Sequence, residues 1–172
     1  MKMIAIIIDD RTQPKPIIIK TNMEFNRNNR VIQLCAQGME LEGHGQSAHA
    51  SILFNEAWNI AITDFEKFIA AHYVARHQKS IADKLKWDET ALKHALHIDH
   101  NTVKGTLPSL YLNIGKCYED LTDFDNAKRN YQAASAFACF LPDDGYGNMI
   151  KAGITNGLDR LKPSLLKDGK YQ

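Results

Sequence analysis

The sequence predicts an all-α fold of antiparallel helix hairpins, and three observations carry that prediction. The stretch 108–142, PSLYLNIGKCYEDLTDFDNAKRNYQAASAFACFLP, holds two apolar stripes at helical spacing with a break between them. Small residues recur on the facing sides of the two stripes, at Gly115, Ala127 and Ala134, so the helices can approach closely while aromatic rings fill the remaining space. Residues 24–62 repeat the same frame of large and small positions.

In the stretch 108–142, Tyr111, Ile114, Gly115 and Tyr118 share one face of a first helix, which Leu121 closes. Thr122 and Asp123 offer side-chain oxygens to cap a second helix, and Asp125 adds negative charge to its first turn. Phe124, Ala127, Tyr131, Ala134 and Phe137 line that second helix, and Pro142 ends the unit. These residues resemble the tetratricopeptide repeat family, whose repeat of about 34 residues has a large–x2–Leu–Gly–x2–Tyr first helix, an Ala–x3–Phe second helix and then a proline. Tyr111, Ile114, Gly115, Tyr118, Ala127, Tyr131 and Ala134 fit that frame, and Pro142 falls a few residues late. The resemblance, which extends to bacterial members of the family, implies a right-handed solenoid of about three repeats closed by a C-terminal capping helix.

Length and composition agree with a globular chain. The 172 residues suit one domain with a real core. Lys plus Arg number 21 against 20 Asp plus Glu, a balance that argues against nucleic acid as the main partner. The odd trio Cys35, Cys117 and Cys139 has no CxxC spacing and reads as free thiols in a reducing compartment. The apolar run Met3–Ile8 is too short to span a membrane and lacks a cleavage site. The expectation is a cytoplasmic protein with no membrane partner.

Residues 1–22 differ from the remainder. The β-branched runs Met3–Ile8 and Ile17–Ile19 flank a turn-rich segment in which Pro14 and Pro16 exclude a helix. They predict a small N-terminal β-hairpin, whose open edge could pair with a second copy. The other reading of this leader makes Met23 the true start. A helical domain is expected over 23–163 and a frayed tail over 164–172.

In the first hairpin, Asn28 or Asn29 caps a helix carrying Val31, Leu34, Gly38 and Leu41, Gly43–Gly45 breaks it, and a second helix carries Ala50, Phe54, Ala57 and Trp58. Residues 64–100 hold a degenerate pair. Thr63 or Asp64 caps a helix through Phe65, Phe68, Ile69, Val74 and Ala75, and Ser80 with Asp83 opens the next, which carries Leu85, Leu92, Ala95 and Leu96. Gly38 and Gly115 stand 77 residues apart, two family repeats of about 34 residues plus an excess of roughly nine, which the 99–107 loop takes up in part. Met149, Ile150, Gly153, Ile154, Leu158 and Leu161 form the stripe of a last helix over 146–162, suited to covering the end of the array.

No residue set amounts to a catalytic site, and no enzyme activity or cofactor is expected. An RNA methyltransferase would need a strand, a Gly-rich turn and a helix around its cofactor; Met3–Ile8 leads instead into Asp9, Asp10 and prolines. Cys35 and Cys117 fall within helices of the repeat frame and read as buried thiols rather than nucleophiles. The loop Asp143–Asn148 is out of frame for calcium, since Ile154 stands where the closing carboxylate belongs, and reads as a turn and an N-cap. Five histidines lie between residues 72 and 100. His94 and His97 share a helix face, and His72 and His77 lie on the helix expected to pack against theirs. The set is open to two readings, a transition-metal or small-molecule site and ordinary interhelix histidines; without HExxH or CxxC, no metal ligand is assigned.

The family resemblance implies a peptide-binding concave groove lined by the first helix of each repeat. Carried onto this sequence, the expected partner-binding residues are Asn113 and Lys116 on the third repeat, His72, Tyr73, Arg76 and His77 on the middle one, and Lys151 on the final helix. Asn, Lys and Arg side chains there can take a peptide carboxylate or backbone. Cys35 and Met39 occupy the places of the Lys/Asn clamp with which the family's chaperone-tail binders work, so that clamp is lacking. The expected partner is a protein or peptide, with self-association as a further possibility.

Overall fold

In a computed structural model, residues 28–99 and 101–162 are described, and they are all-helical. The β-hairpin expected over 1–22 and the tail over 164–172 lie outside the described residues. The helices are α1 (Arg30–Gly43), α2 (Ser47–Ile60), α3 (Asp64–Arg76), α4 (Ile81–Leu96), the short α5 (Asn101–Lys104), α6 (Leu107–Asp120), α7 (Phe124–Ala136) and α8 (Gly145–Arg160). Among the described residues, no helix is long and apolar enough to cross a membrane. The chain divides into two compact units between Val103 and Lys104.

Local chemistry starts most of these helices where the caps predict. Asn29 caps α1, its side-chain oxygen accepting from the Val31 and Ile32 amides at 2.9 and 3.2 Å. Thr63 and Glu66 form a reciprocal capping box at α3. Ser80 caps α4 through the Asp83 amide at 3.0 Å, and its hydroxyl also donates to the Asp83 carboxylate at 2.6 Å. Of the two residues offered for α7, Asp123 is the cap, accepting from the Asn126 amide at 3.1 Å. Asp144, in the loop set aside as a calcium site, caps α8 through the Gly147 amide at 2.8 Å. Pro108 sits in the first turn of α6, where its missing N–H costs no helical bond. A 3-10 turn over Ala138–Phe140 follows α7 and carries the chain on to the late Pro142.

In the first unit, α1 packs antiparallel on α2, α2 and α1 both pack on α3, and α3 packs on α4. The α1–α2 contact is built from Leu34, Ala50, Phe54 and Ala57, all fully buried. Gly38 lies so close to the Phe54 ring that a Cβ there would overlap it. Helix α3 is sandwiched among three neighbours, and the consequence is visible in its sequence: every residue from Phe68 to Ala75 is buried. Trp58 on α2 meets Trp87 on α4 edge to face at 4.9 Å.

The second unit repeats this plan with α6, α7 and α8. Gly115 approaches Tyr131 as Gly38 approaches Phe54: a Cβ at Gly115 would stand 2.7 Å from the ring. Gly157 of α8 holds the ring's other edge at the same spacing, so Tyr131 is clasped between two glycines. Ala134, Leu141, Ile150 and Ile154 form the core beneath it, and Tyr111 stacks on Phe137 at 5.9 Å. The first helix of each hairpin ends in the same hydrogen bonds. Gly45 N–H donates to Glu42 and Gln46 N–H to Leu41, just as Thr122 N–H donates to Glu119 and Asp123 N–H to Tyr118. These are Schellman turns, and both Gly45 (φ 74°) and Thr122 (φ 61°) are left-handed. Cys35 and Cys117 are buried, one in each unit, and Cys139 is exposed.

Candidate functional site

The histidines of residues 72–97 go to three different environments. Because α3 and α4 are antiparallel, the start of one lies against the end of the other. The capping box at Thr63 fixes the first residue of α3, Asp64. His94, in the last turn of α4, puts its Nδ1 at 2.6 Å from Asp64 Oδ1, and His97, the C-cap, puts its Nδ1 at 3.4 Å from the same oxygen. One ligand atom from each of the three lies within 4.8 Å of the others, and this is the group of metal-capable donors that the described residues bring together. The hydrogen bond from His94 holds the Asp64 carboxyl below its ordinary range, against a smaller opposing effect of burial. Trp58 stands beside the His94 ring at 6.3 Å and walls that side of the cluster.

His77 and Arg76 are engaged elsewhere. Both reach back to Glu42 at the end of α1, His77 Nε2 at 2.7 Å and Arg76 at 3.0 Å. The Arg76 guanidinium also lies over the Tyr73 ring, 5.6 Å from its centre. Tyr73 in turn stacks on Phe54 at 4.9 Å and is buried. His72 is buried, and its Nδ1 meets no hydrogen-bond partner among the described residues. Burial, together with the Arg76 and Lys84 charges, pushes its pKa down to about 4, so the ring is neutral. Of the four residues of α3 and its C-cap expected on an open groove, His72 and Tyr73 therefore point into protein, and Arg76 and the C-cap His77 are held by Glu42. The cause is the third neighbour of α3, which leaves this helix little free surface.

In the second unit, Glu119 occupies the place in α6 that Glu42 occupies in α1. It accepts two bonds from Arg160 of α8, at 2.7 and 2.8 Å, and one from the Tyr131 hydroxyl at 2.6 Å. The Arg160 bonds hold its pKa down at about 2, with Tyr131 adding to them and burial opposing. Each unit thus ends its first helix on a glutamate that binds a cation from its third helix. Asn113 is half-buried on α6, and Lys116 is exposed one turn along and pairs with Asp120. Lys151 is exposed on α8. Leu112, between Tyr111 and Asn113, packs against Gly153 of α8.

The sequence marks Asp64 only as a cap and Glu119 only as an outward position of α6, and Glu42 and Arg160 were overlooked. The glutamates carried a signal: they stand 77 residues apart, in the same register as the two frame glycines. Asp64 carried one too, since an antiparallel pair must bring its helix start to the end of α4. Cys35 is an inert thiol, burial having raised its pKa to about 12. The chain matches no family model, no curated protein and no solved structure.

Proposed function

We propose that this chain is a non-enzymatic, cytoplasmic protein-interaction module: a short tetratricopeptide-like array that holds a peptide or partner protein on the first-helix face of its repeats. The observation that carries the reading is the repeated packing of the two hairpins. The glycine–ring pairs Gly38–Phe54 and Gly115–Tyr131, the buried alanine pairs Ala50–Ala57 and Ala127–Ala134, and the two Schellman turns all share one 77-residue register. Repeats of this kind present the outward residues of their first helices to ligands.

The binding surface we assign is on α6, at Asn113 and Lys116, with Lys151 of α8 as a further cation. Arg76 and His77 are already bound to Glu42, and Arg160 to Glu119, so a ligand carboxylate would have to compete for them. Lys116 is exposed and its ion pair is with the exposed Asp120, a weak hold. An acidic or C-terminal carboxylate on an extended peptide fits this surface.

The test is affinity capture from native cytoplasm with mass spectrometry, comparing wild type with Asn113→Ala/Lys116→Glu. Captured partners are then remade as peptides and titrated against both proteins. A peptide bound by wild type and weakened at least tenfold by the variant supports the reading. Equal binding by both overturns the assigned surface, and the absence of any peptide binder overturns the module.

A further inference from the structure

We propose that Asp64, His94 and His97 form a binding site for one divalent transition-metal ion of the zinc class. The site is independent of the peptide surface on α6, and it draws on residues that surface does not use.

The donors are of the right chemistry. Two imidazole nitrogens and a carboxylate oxygen suit zinc, cobalt or nickel, whereas calcium and magnesium prefer all-oxygen shells. The donors also converge. Both Nδ1 atoms approach the same oxygen, Asp64 Oδ1, from two positions one helical turn apart on α4. An ion with metal–ligand distances of about 2.1 Å needs tetrahedral donors about 3.4 Å apart. The present separations run from 2.6 Å, for His94 on Asp64, to no more than 4.8 Å, so the rearrangement to that spacing is small.

The two histidines divide the work of closing it. His94 is the fixed ligand: its side chain is 16% exposed, with Trp58 beside it. His97 is the adjustable one, at 56% exposure on the C-cap of α4. Asp64 is anchored from behind by the Thr63–Glu66 capping box, which sets its backbone without occupying its carboxylate. A metal ion takes the ring tautomer that carries its hydrogen on Nε2, so each Nδ1 offers its lone pair to the ion in place of the contact with Asp64. Three protein ligands leave at least one coordination position for water or an external group, the pattern of an open site.

The same three residues would also serve as a simple latch between the start of α3 and the end of α4, and the experiment separates the two. Full-length protein is stripped with a chelator, dialysed and titrated with cobalt chloride, followed by visible ligand-field absorption, and with zinc chloride by calorimetry. The expected result is one cobalt per chain, displaced by zinc, together with a metal-dependent rise in melting temperature. His97→Gln should weaken binding by at least roughly ten- to a hundredfold, the loss typical even of an outer-shell partner, with unchanged helical circular dichroism. His94→Gln should do the same, and His49→Gln, an exposed histidine on α2, should not. If His94→Gln loses its fold, His97→Gln decides alone. No saturable binding by the native chain, or binding that both glutamine variants retain, would overturn the site.

Discussion

Thr122 has the backbone of a glycine. Its φ of 61° matches the 74° of Gly45, and the two residues hold the same position in turns 77 residues apart. The Thr122 hydroxyl donates to the Leu121 carbonyl at 2.6 Å, a local bond that goes part of the way to offsetting the conformation. A β-branched residue in the left-handed region costs about 1–2 kcal/mol. Thr122→Gly should therefore stabilise the chain by about 1 kcal/mol, after the greater entropy of an unfolded glycine is subtracted. Gly45→Thr should destabilise it by a similar amount. Urea unfolding of the two variants measures both.

The clasp around Tyr131 leads to a second expectation. This ring is fully buried, touches Gly115 and Gly157, and is tied by its hydroxyl to Glu119. It has no room to yield to a methyl group. Gly115→Ala should cost about 1–3 kcal/mol through overpacking. Tyr131→Leu opens the space that the new methyl group needs, so the double variant should lose less than the two single losses added together. Additive losses in a denaturant double-mutant cycle would show that the ring and the glycine do not oppose one another.

His72 should make the chain sensitive to mild acid. Its ordinary pKa of 6.5 falls to about 4 in the folded state. Between these values the unfolded chain takes up a proton that the folded chain refuses, so stability is complete above pH 6.5 and declines as the pH falls toward 4. The full loss approaches about 3 kcal/mol. His72→Leu fills a similar volume and leaves no unsatisfied Nδ1. It should flatten stability across this window, as read by chemical denaturation at a series of pH values from 7 to 4.

Glu119 works over a lower range. Its carboxylate is 15% exposed and Arg160 is 47% exposed, so the pair is only partly shielded from water. Arg160→Ala should cost about 1 kcal/mol at neutral pH. The carboxylate is held near 2 rather than its ordinary 4.5, so its contribution is present above pH 4.5 and is lost as the pH falls toward 2. The variant should show a shallower decline over that acid range than wild type.

The hairpins were legible in the sequence because their signals are local. Gly38 with Phe54, and Gly115 with Tyr131, announce a close helix crossing within about 16 residues of chain. The caps Asn29, Ser80 and Asp123 were similarly readable, each a side chain beside the amide it accepts from. The surroundings of α3 were not. Its apolar stripe reads as one buried face, but burial of the whole segment Phe68–Ala75 follows from three packed neighbours, and no periodicity within one helix encodes that number. This is why His72 and Tyr73 read as groove residues and turn out to be interior. Thr122 hid its turn for a different reason: a threonine there signals a cap, and only alignment with Gly45 exposes the left-handed position. The partnership of Asp64 with His94 depends on a contact across 30 residues, legible only once the antiparallel pair is in place.

The placement of the thiols makes the chain its own probe of breathing. Cys35 lies within the first unit and Cys117 within the second, both closed to reagents, while Cys139 stands in solvent. A thiol-specific reagent modifies the open site at once and the closed pair only during excursions that part their helices. The ratio of the two slow labelling rates then reports which half of the chain loosens first, with no substitution introduced.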